Sequence, residues 1–211
     1  DKAGADIIEI GIPFSDPVAD GPVVEEASQE CIQKGADLDW LIRTLPEYRD
    51  SLQAELVFMG YVNPFMQYGW GKLAEELYRN RVAGLIVPDL PLEESTELGS
   101  LLKDWDVDLV RLIGLNTSEQ RMREYASIAR GFVYFLSVLG TTGAQRSLPA
   151  SLKQSLARAA DLFSQPIALG FGLSSPEQLQ EIGDQVQAVV FGSALIKHLK
   201  DKGSSRDFMK I

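Results

Sequence analysis

The residues whose types could do chemistry are concentrated between Glu9 and Pro22. Glu9 interrupts the apolar run Ile7–Ile10, which predicts a buried strand. Burial disfavours a charged carboxylate, so we expect the pKa of Glu9 to lie above its usual range, where an acid exchanges protons near neutral pH. The segment after the strand is rich in proline and glycine and carries Asp16 and Asp20, which predicts a stiff loop. Loops of this kind hold the chemistry of α/β proteins.

Glycine-bearing turns follow three late apolar runs and predict a phosphate site. The first turn contains Gly143, the second Gly172, and the third Gly192 and Ser193. Glycine lets backbone N–H groups approach an anion closely, and a helix that begins after Gly192 would add the positive end of its dipole. Because backbone dipoles would hold the phosphate, the net charge of -10 is no obstacle.

Short apolar runs alternate with amphipathic ones, which predicts a parallel sheet with right-handed crossovers. The predicted fold is α/β, a (β/α)8 TIM barrel that forms a single domain over residues 1–211. Strands are predicted at Ile7–Ile10, Leu56–Met59, Gly84–Val87, Leu109–Ile113, Phe132–Phe135, Ile167–Leu169 and Ala188–Phe191. Helices are predicted at Val24–Lys34, Leu38–Arg49, Gly71–Asn80, Glu93–Trp105, Ser118–Ala129, Ser151–Phe163 and Pro176–Ile182.

A closed barrel has eight strands, whereas this pattern contains one fewer. Residues 1–6 read as the last turn of a helix, with Gly4 as its left-handed stop. We therefore expect the barrel to stand here without its first β/α unit, about 40 residues. We also expect it to be incomplete at its carboxyl terminus.

Composition excludes several classes of function. With 45% hydrophobic and 24% charged residues, the 211-residue chain suits one medium domain. Its negative charge disfavours nucleic acid as a partner, and no apolar stretch approaches the roughly 20 residues that span a bilayer. The single Cys31 allows no internal disulfide and fits a cytoplasmic location. His198 is the only histidine, so zinc has no ligand set and no metal site is expected.

The Glu9–Pro22 stretch resembles the signature of the tryptophan synthase alpha chain family. The similarity runs in order from Ala3 to about Lys197. The motifs that carry it are Tyr61–Pro64, Gly84–Pro91, Thr142–Ala144, Gly170–Gly172 and Gly192–Ala194. The resemblance implies a lyase of tryptophan biosynthesis that cleaves indole-3-glycerol phosphate to indole and glyceraldehyde 3-phosphate in a retro-aldol reaction. It implies no cofactor in this chain, and as partner a pyridoxal-phosphate beta subunit in an αββα tetramer.

The resemblance also implies a role for each site residue. Glu9 is the acid/base that protonates indole C3 and accepts the side-chain hydroxyl proton, and Asp20 faces the indole nitrogen. Substrate-binding positions are Tyr134, Thr142, Phe171 and Leu112, and phosphate-binding positions are Gly143, Gly172, Gly192 and Ser193. Each has a structural alternative: Thr142 can shape a turn, and Tyr134, Phe171 and Leu112 can be barrel packing.

The resemblance places the loop Pro13–Pro22 and the segment Tyr61–Gln67 near the beta partner, with Phe65 and Met66 exposed there. Asp89 resembles a partner-facing position or serves a turn. Positions where this chain departs from the family lie in the loop that closes over substrate, where Val138 replaces a common arginine.

Two other functions remain open. One is a different phosphate-binding barrel enzyme, such as a sugar-phosphate isomerase or a thiamine-phosphate-type synthase. The Glu9–Pro22 signature disfavours that function, because those families share only the phosphate turns. The other is a catalytically weak subunit retained to activate a beta partner, which the intact pair of Glu9 and Asp20 disfavours.

Overall fold

The computed structural model describes residues 2–137, 150–170, 182 and 185–202. The positions predicted to matter at Val138, Thr142, Gly143, Phe171 and Gly172 lie outside the described residues. The chain forms two compact units, residues 1–109 with 195–211, and residues 110–194. Strands and helices follow one another through the described residues of both units, as predicted, and the helix predicted at Pro176–Ile182 lies outside the described residues except for Ile182.

The first unit contains a parallel sheet in the order β1-β2-β3-β4. Its strands are β1 (Ile7–Gly11), β2 (Glu55–Met59), β3 (Val82–Ile86) and β4 (Asp108–Leu109). Its helices are α1 (Pro22–Gln33), α2 (Leu38–Thr44), α3 (Pro46–Arg49), α4 (Val62–Tyr68), α5 (Trp70–Arg79) and α6 (Ser95–Asp104), with a 3-10 turn at Leu92–Glu94 before α6.

The second unit contains a parallel sheet in the order β5-β6-β7-β8. Its strands are β5 (Arg111–Gly114), β6 (Val133–Leu136), β7 (Ile167–Gly170) and β8 (Ala188–Val190). Its helices are α7 (Glu119–Ala126) and α8 (Ala150–Leu162), and α9 (Ser193–Lys202) follows β8.

Each sheet buries one face against helices. In the first unit, Leu56 and Phe58 of β2 are fully buried in a cluster with apolar residues of α2, α4, α5 and α6. Ile8 and Ile10 pack against the same cluster. Because side chains alternate along a strand, Glu9 points to the opposite face, level with Val57 of β2. The sequence of β1 thus places one carboxylate on the face that the helices do not cover.

Helix starts follow ordinary capping chemistry. Asp37 caps α2 by accepting the Trp40 N–H at 2.7 Å, and Ser118 caps α7 by accepting the Arg121 N–H at 3.2 Å. Such a cap satisfies an N–H group that would otherwise have no partner in the first turn. None of the helices in the described ranges has the length and apolar character that crossing a bilayer requires.

Two predicted elements are divided in the structure. The strand predicted at Leu109–Ile113 is interrupted at Val110, so β4 pairs with β3 in one sheet and β5 pairs with β6 in the other. The described ranges therefore contain eight strands, whereas seven strands were predicted. The helix predicted at Leu38–Arg49 ends at Thr44 because Pro46 has no N–H to continue it, and Pro46 instead begins α3.

Candidate active site

Glu9 lies at the middle of β1, and the structure corrects the prediction that this strand is buried. Ile7 is 42% exposed, and Glu9 and Gly11 are exposed as well, because only the face with Ile8 and Ile10 packs against helices. The Glu9 side chain is accessible to solvent, yet protein surrounds its carboxylate on most sides. That desolvation, with a smaller contribution from the charge of Asp20, raises the pKa of Glu9 from 4.5 to about 7. The predicted rise in pKa is thus present, and the carboxyl group can exchange protons near neutral pH.

Asp20 lies at the end of the loop after β1, directly before helix α1. Gly21 is the N-cap of that helix and Pro22 its first residue, so the chain turns into the helix immediately after the carboxylate. Partial burial raises the pKa of Asp20, and the charge of Glu25 adds to the rise, whereas a hydrogen bond from Tyr61 opposes it. Asp20 is also close enough to Glu9 to raise the pKa of that residue. The structure therefore brings the two predicted catalytic carboxylates together.

Tyr61 is a site residue whose role the sequence did not reveal. It follows β2, its side chain is only 1% exposed, and its hydroxyl oxygen accepts the Ala19 N–H at 3.1 Å. The same hydroxyl is hydrogen-bonded to the Asp20 carboxylate. Burial and the nearby carboxylate charges raise the pKa of Tyr61, so the hydroxyl stays protonated and donates a hydrogen bond to the Asp20 carboxylate. Its place just beyond a strand's carboxyl end, where barrel site residues are found, is the signal that could have identified it.

Asp89 supports Tyr61 from the loop after β3. Both of its carboxylate oxygens accept the N–H of Val62, at 3.0 and 3.2 Å. Because Tyr61 is the N-cap residue of α4 and Val62 its first residue, this contact holds the backbone of the tyrosine. The structure therefore gives Asp89 a structural role at the start of α4, one of the two roles predicted for it.

The second unit contains four other predicted residues, Leu112, Tyr134, Gly192 and Ser193. Leu112 of β5 lies level with Tyr134 of β6, so their side chains are neighbours on one face of the sheet. Tyr134 is 7% exposed and packs directly on Gly170, where a Cβ would lie 2.2 Å from the tyrosine ring. Gly192 and Ser193 follow β8, and Ser193 begins α9.

Removing the Tyr61 hydroxyl tests the arrangement around Asp20. In Tyr61→Phe the Ala19 N–H loses its acceptor and the Asp20 carboxylate loses a donor, so burial acts unopposed and the pKa of Asp20 rises further. We expect a carboxyl NMR titration to show that rise, and unfolding to show a loss of about 1–3 kcal/mol. Tyr78→Phe, which alters an exposed tyrosine on α5, is the matched control. An Asp20 titration identical in both variants would contradict the hydrogen bond.

Chemically, the first unit offers two carboxyl groups with raised pKa values and a neutral hydroxyl beside one of them. Such a pair can transfer a proton to and from a substrate and stabilise positive charge. No group of three or more His, Cys, Asp or Glu suited to a metal ion occurs among the residues that the structure describes.

Comparison with known proteins gives one consistent result. The family model described as tryptophan synthase alpha chain matches residues 1–210. The tryptophan synthase alpha chain of Solidesulfovibrio magneticus is 55% identical over 209 residues, covering 99% of this chain and 82% of the relative. That of Nitratidesulfovibrio vulgaris is 52% identical over 210 residues, covering 100% and 82%.

Among solved structures, the tryptophan synthase a2b2 complex of Pyrococcus furiosus contains a similar chain. That chain superposes with a TM-score of 0.88 at 32% identity, over 97% of this chain and 83% of its own length. The fold class is therefore that of the (β/α)8 barrel, as predicted. The family model, the curated relatives and the structural match agree with the Glu9–Pro22 signature, and this chain belongs to the tryptophan synthase alpha chain family.

Proposed function

We propose that Glu9 and Asp20 are the two catalytic carboxylates with which this chain cleaves indole-3-glycerol phosphate. The family's reaction yields indole and glyceraldehyde 3-phosphate and makes the chain a lyase of tryptophan biosynthesis. The observation that carries the assignment is the pair itself, because Glu9 has a pKa of about 7 and Asp20 is close enough to contribute to it. A carboxyl group that is half protonated at neutral pH suits general acid–base catalysis.

The reaction requires two proton transfers that one residue can perform in sequence. Protonated Glu9 donates its proton to indole C3, and the ring then accepts the electron pair of the bond between C3 and the glycerol side chain. As that bond breaks, the side-chain hydroxyl becomes a carbonyl and its proton returns to the Glu9 carboxylate. Glu9 therefore ends each turnover protonated, and no further acid is consumed.

Asp20 has a different task in this mechanism. Once C3 is protonated, the indole nitrogen carries positive charge and its N–H becomes a stronger donor. The Asp20 carboxylate, held by Tyr61, would accept that hydrogen bond, which gains strength as charge develops. The two carboxylates lie in different surroundings, which is how a pair of acids divides such roles.

The second unit supplies residues suited to the indole ring and the phosphate. Leu112 and Tyr134 lie side by side, an apolar and an aromatic surface of the kind that lines ligand pockets. Phe171 and Thr142, which we assign to the same pocket, lie outside the described residues. Gly192 and Ser193 stand at the amino terminus of α9, where the helix dipole favours an anion. We assign Gly143 and Gly172, also outside the described ranges, to the same phosphate.

Obstructing Gly192 is expected to weaken phosphate binding while leaving the carboxylates unchanged. None of the described residues lies within 4 Å of where a Cβ on Gly192 would be, and its φ is outside the left-handed region, so valine fits the fold. Its methyl groups would fill space assigned to the phosphate. We expect Gly192→Val to raise KM on the order of 10-fold to 100-fold, the loss of one or two charged hydrogen bonds. Gly71→Val, at a similarly open glycine on α5, is the control, and equal KM values in both would contradict the assignment.

A pyridoxal-phosphate beta subunit is the partner we propose, in an αββα assembly. The Pyrococcus furiosus relative is an a2b2 complex, and a chain of that complex is similar to 97% of this one. Met66 on α4 is 57% exposed, which suits a contact surface. Phe65 does not contribute, contrary to prediction, because it is 0% exposed and packs against Trp70 with ring centroids 6.1 Å apart. The cofactor belongs to the beta subunit in this proposal, and the chemistry of the alpha chain uses its own side chains.

An assay of indole release from indole-3-glycerol phosphate, with and without a beta subunit of the family, tests the function. We expect release by this chain alone and faster release with the partner. A chain that only activates its partner would release no indole under either condition while stimulating the beta subunit. A different phosphate-binding barrel enzyme would do neither.

A further inference from the structure

We propose that Ser28 of α1 is a positioning residue that fixes the loop carrying Asp20. The inference rests on the proposed function, because it assigns importance to the place where Asp20 is held. None of the catalytic, substrate-binding or phosphate-binding residues lies in α1, so Ser28 would be the first residue of this helix with a role at the site. Two sets of contacts, one with α1 and one with Tyr61, join the loop to its surroundings.

The first contact is a double hydrogen bond to one residue of the loop. The Ser28 hydroxyl oxygen accepts the Phe14 N–H at 2.8 Å, and the same hydroxyl donates to the Phe14 carbonyl at 3.0 Å. One side chain thus satisfies both backbone groups of Phe14, as a neighbouring strand would. The adjacent Gln29 adds a bond from its Nε2 to the Ser15 carbonyl at 3.1 Å. The start of the loop is therefore tied to the middle of α1.

The second contact connects Phe14 to the end of the loop. Its ring lies against that of Tyr61, with centroids 5.5 Å apart. Tyr61 in turn accepts the Ala19 N–H and is hydrogen-bonded to Asp20. Both ends of the loop consequently meet at the same buried tyrosine, and Ser28 determines where Phe14 sits against it.

The loop depends on contacts with α1 and Tyr61 because few of its backbone groups form hydrogen bonds within the loop. Pro13 and Pro17 have no N–H to donate, and the middle of the loop is exposed, with Val18 81% exposed. Within the loop, the Asp20 N–H donates to the Pro17 carbonyl at 3.2 Å. Segments with little burial open easily, so external hydrogen bonds decide how well the loop is ordered. A displacement of about 1 Å in a catalytic group can cost roughly 100-fold in rate.

The experiment compares Ser28→Ala with Ser28→Thr, which keeps the hydroxyl, and with Ser51→Ala. Ser51 is an exposed serine that also donates to a backbone carbonyl, that of Tyr48, but lies after α3. We expect Ser28→Ala to lower kcat about tenfold, with KM and melting temperature close to those of Ser51→Ala. We expect Ser28→Thr to retain most of the activity. Hydrogen exchange at the Phe14 amide should be faster in Ser28→Ala alone.

The outcomes separate this proposal from the proposed function. If Ser28→Ala matched Ser51→Ala in kcat while Asp20→Asn was impaired, Ser28 would be an ordinary helix residue and the positioning role would be wrong. If Asp20→Asn were fully active, the proposed function and this proposal would both be overturned. If Ser28→Ala did not fold, Gln29→Ala would loosen the same loop from the helix surface. If Gln29→Ala changed neither kcat nor the rate of hydrogen exchange at the Ser15 and Asp16 amides, the result would count against the proposal.

Discussion

Glu9→Gln is expected to lower the turnover of indole-3-glycerol phosphate by roughly 10²–10⁴-fold or more, with the fold intact. Glutamine has nearly the shape of glutamate but neither donates an acidic proton to C3 nor accepts one from the hydroxyl. Because both transfers depend on Glu9 in the proposed mechanism, the variant loses the proton transfer that begins each turnover and the one that ends it. Glu47→Gln, at an exposed position on α3, is the control for removing one negative charge. Near-normal turnover by Glu9→Gln, with or without a beta subunit, would discard the mechanism.

The pH dependence of Glu9 provides a second and independent readout. Since the reactive form of Glu9 is protonated and its pKa is about 7, we expect kcat/KM of the unaltered chain to fall as pH rises above 7. Stability should change in the same direction. The folded state binds the Glu9 proton more tightly than the unfolded state, so the stabilisation is complete below about pH 4.5 and is lost as pH rises through 7.

Glu9→Gln should abolish that loss, because an amide has no proton to release. The variant is therefore expected to melt at a higher temperature than the unaltered chain at pH 8, with the two nearly equal at pH 4.5. If the difference in melting temperature between Glu9→Gln and the unaltered chain were the same at every pH, the surroundings of Glu9 would not desolvate its carboxylate. This measurement needs no substrate and tests the electrostatics apart from the catalysis.

The chemistry of the site was more predictable from sequence than its exposure. A carboxylate within an apolar run indicated a raised pKa for Glu9, and the structure has it. The same run predicted a buried strand, which was wrong for the face that includes Ile7 and Glu9. A run of apolar residues reports that a strand has a packed face, but whether its second face is covered depends on elements distant in sequence.

Contacts between distant segments account for the other differences. Phe65 follows an Asn-Pro pair that is typical of an exposed turn, yet these residues belong to α4, the Val62 N–H donates to Asp89, and the Phe65 side chain is buried in the core. Tyr61 is assigned to the site because Ala19 and Asp20, which lie 42 and 41 positions earlier in the chain, contact its hydroxyl. Motif and periodicity describe neighbours in sequence, so the place of Tyr61 after β2 could mark it as a candidate, but its contacts with the loop were visible only in the structure.

Asp20→Asn is expected to lower kcat by roughly 10²–10³-fold and to change KM little. An amide oxygen can still accept a hydrogen bond from the indole N–H of the bound substrate, so ground-state binding survives. What asparagine lacks is the negative charge that stabilises the positive ring nitrogen after C3 is protonated. An interaction that strengthens only in the transition state appears in kcat rather than in binding.

Asp16→Asn makes the same change in charge within the same loop and is the matched control. The Asp16 carboxylate accepts a hydrogen bond from the Ser15 hydroxyl at the exposed part of the loop. We expect its kcat to exceed that of Asp20→Asn by at least about tenfold. Equal losses in the two variants would mean that the charge of the loop as a whole, and not the position of Asp20, matters.

Asp20→Asn also makes a prediction about Glu9 that holds without substrate. The charge of Asp20 is one of the two causes that raise the pKa of Glu9, so removing it should bring that pKa below 7, while desolvation keeps it above 4.5. A carboxyl NMR titration of Glu9 in Asp20→Asn, compared with Asp16→Asn, measures the coupling directly. If the Glu9 titration were unchanged while kcat fell strongly, Asp20 would act at the indole nitrogen but would not raise the pKa of Glu9. A lowered Glu9 pKa with normal kcat would show that the two carboxylates interact without sharing the chemistry.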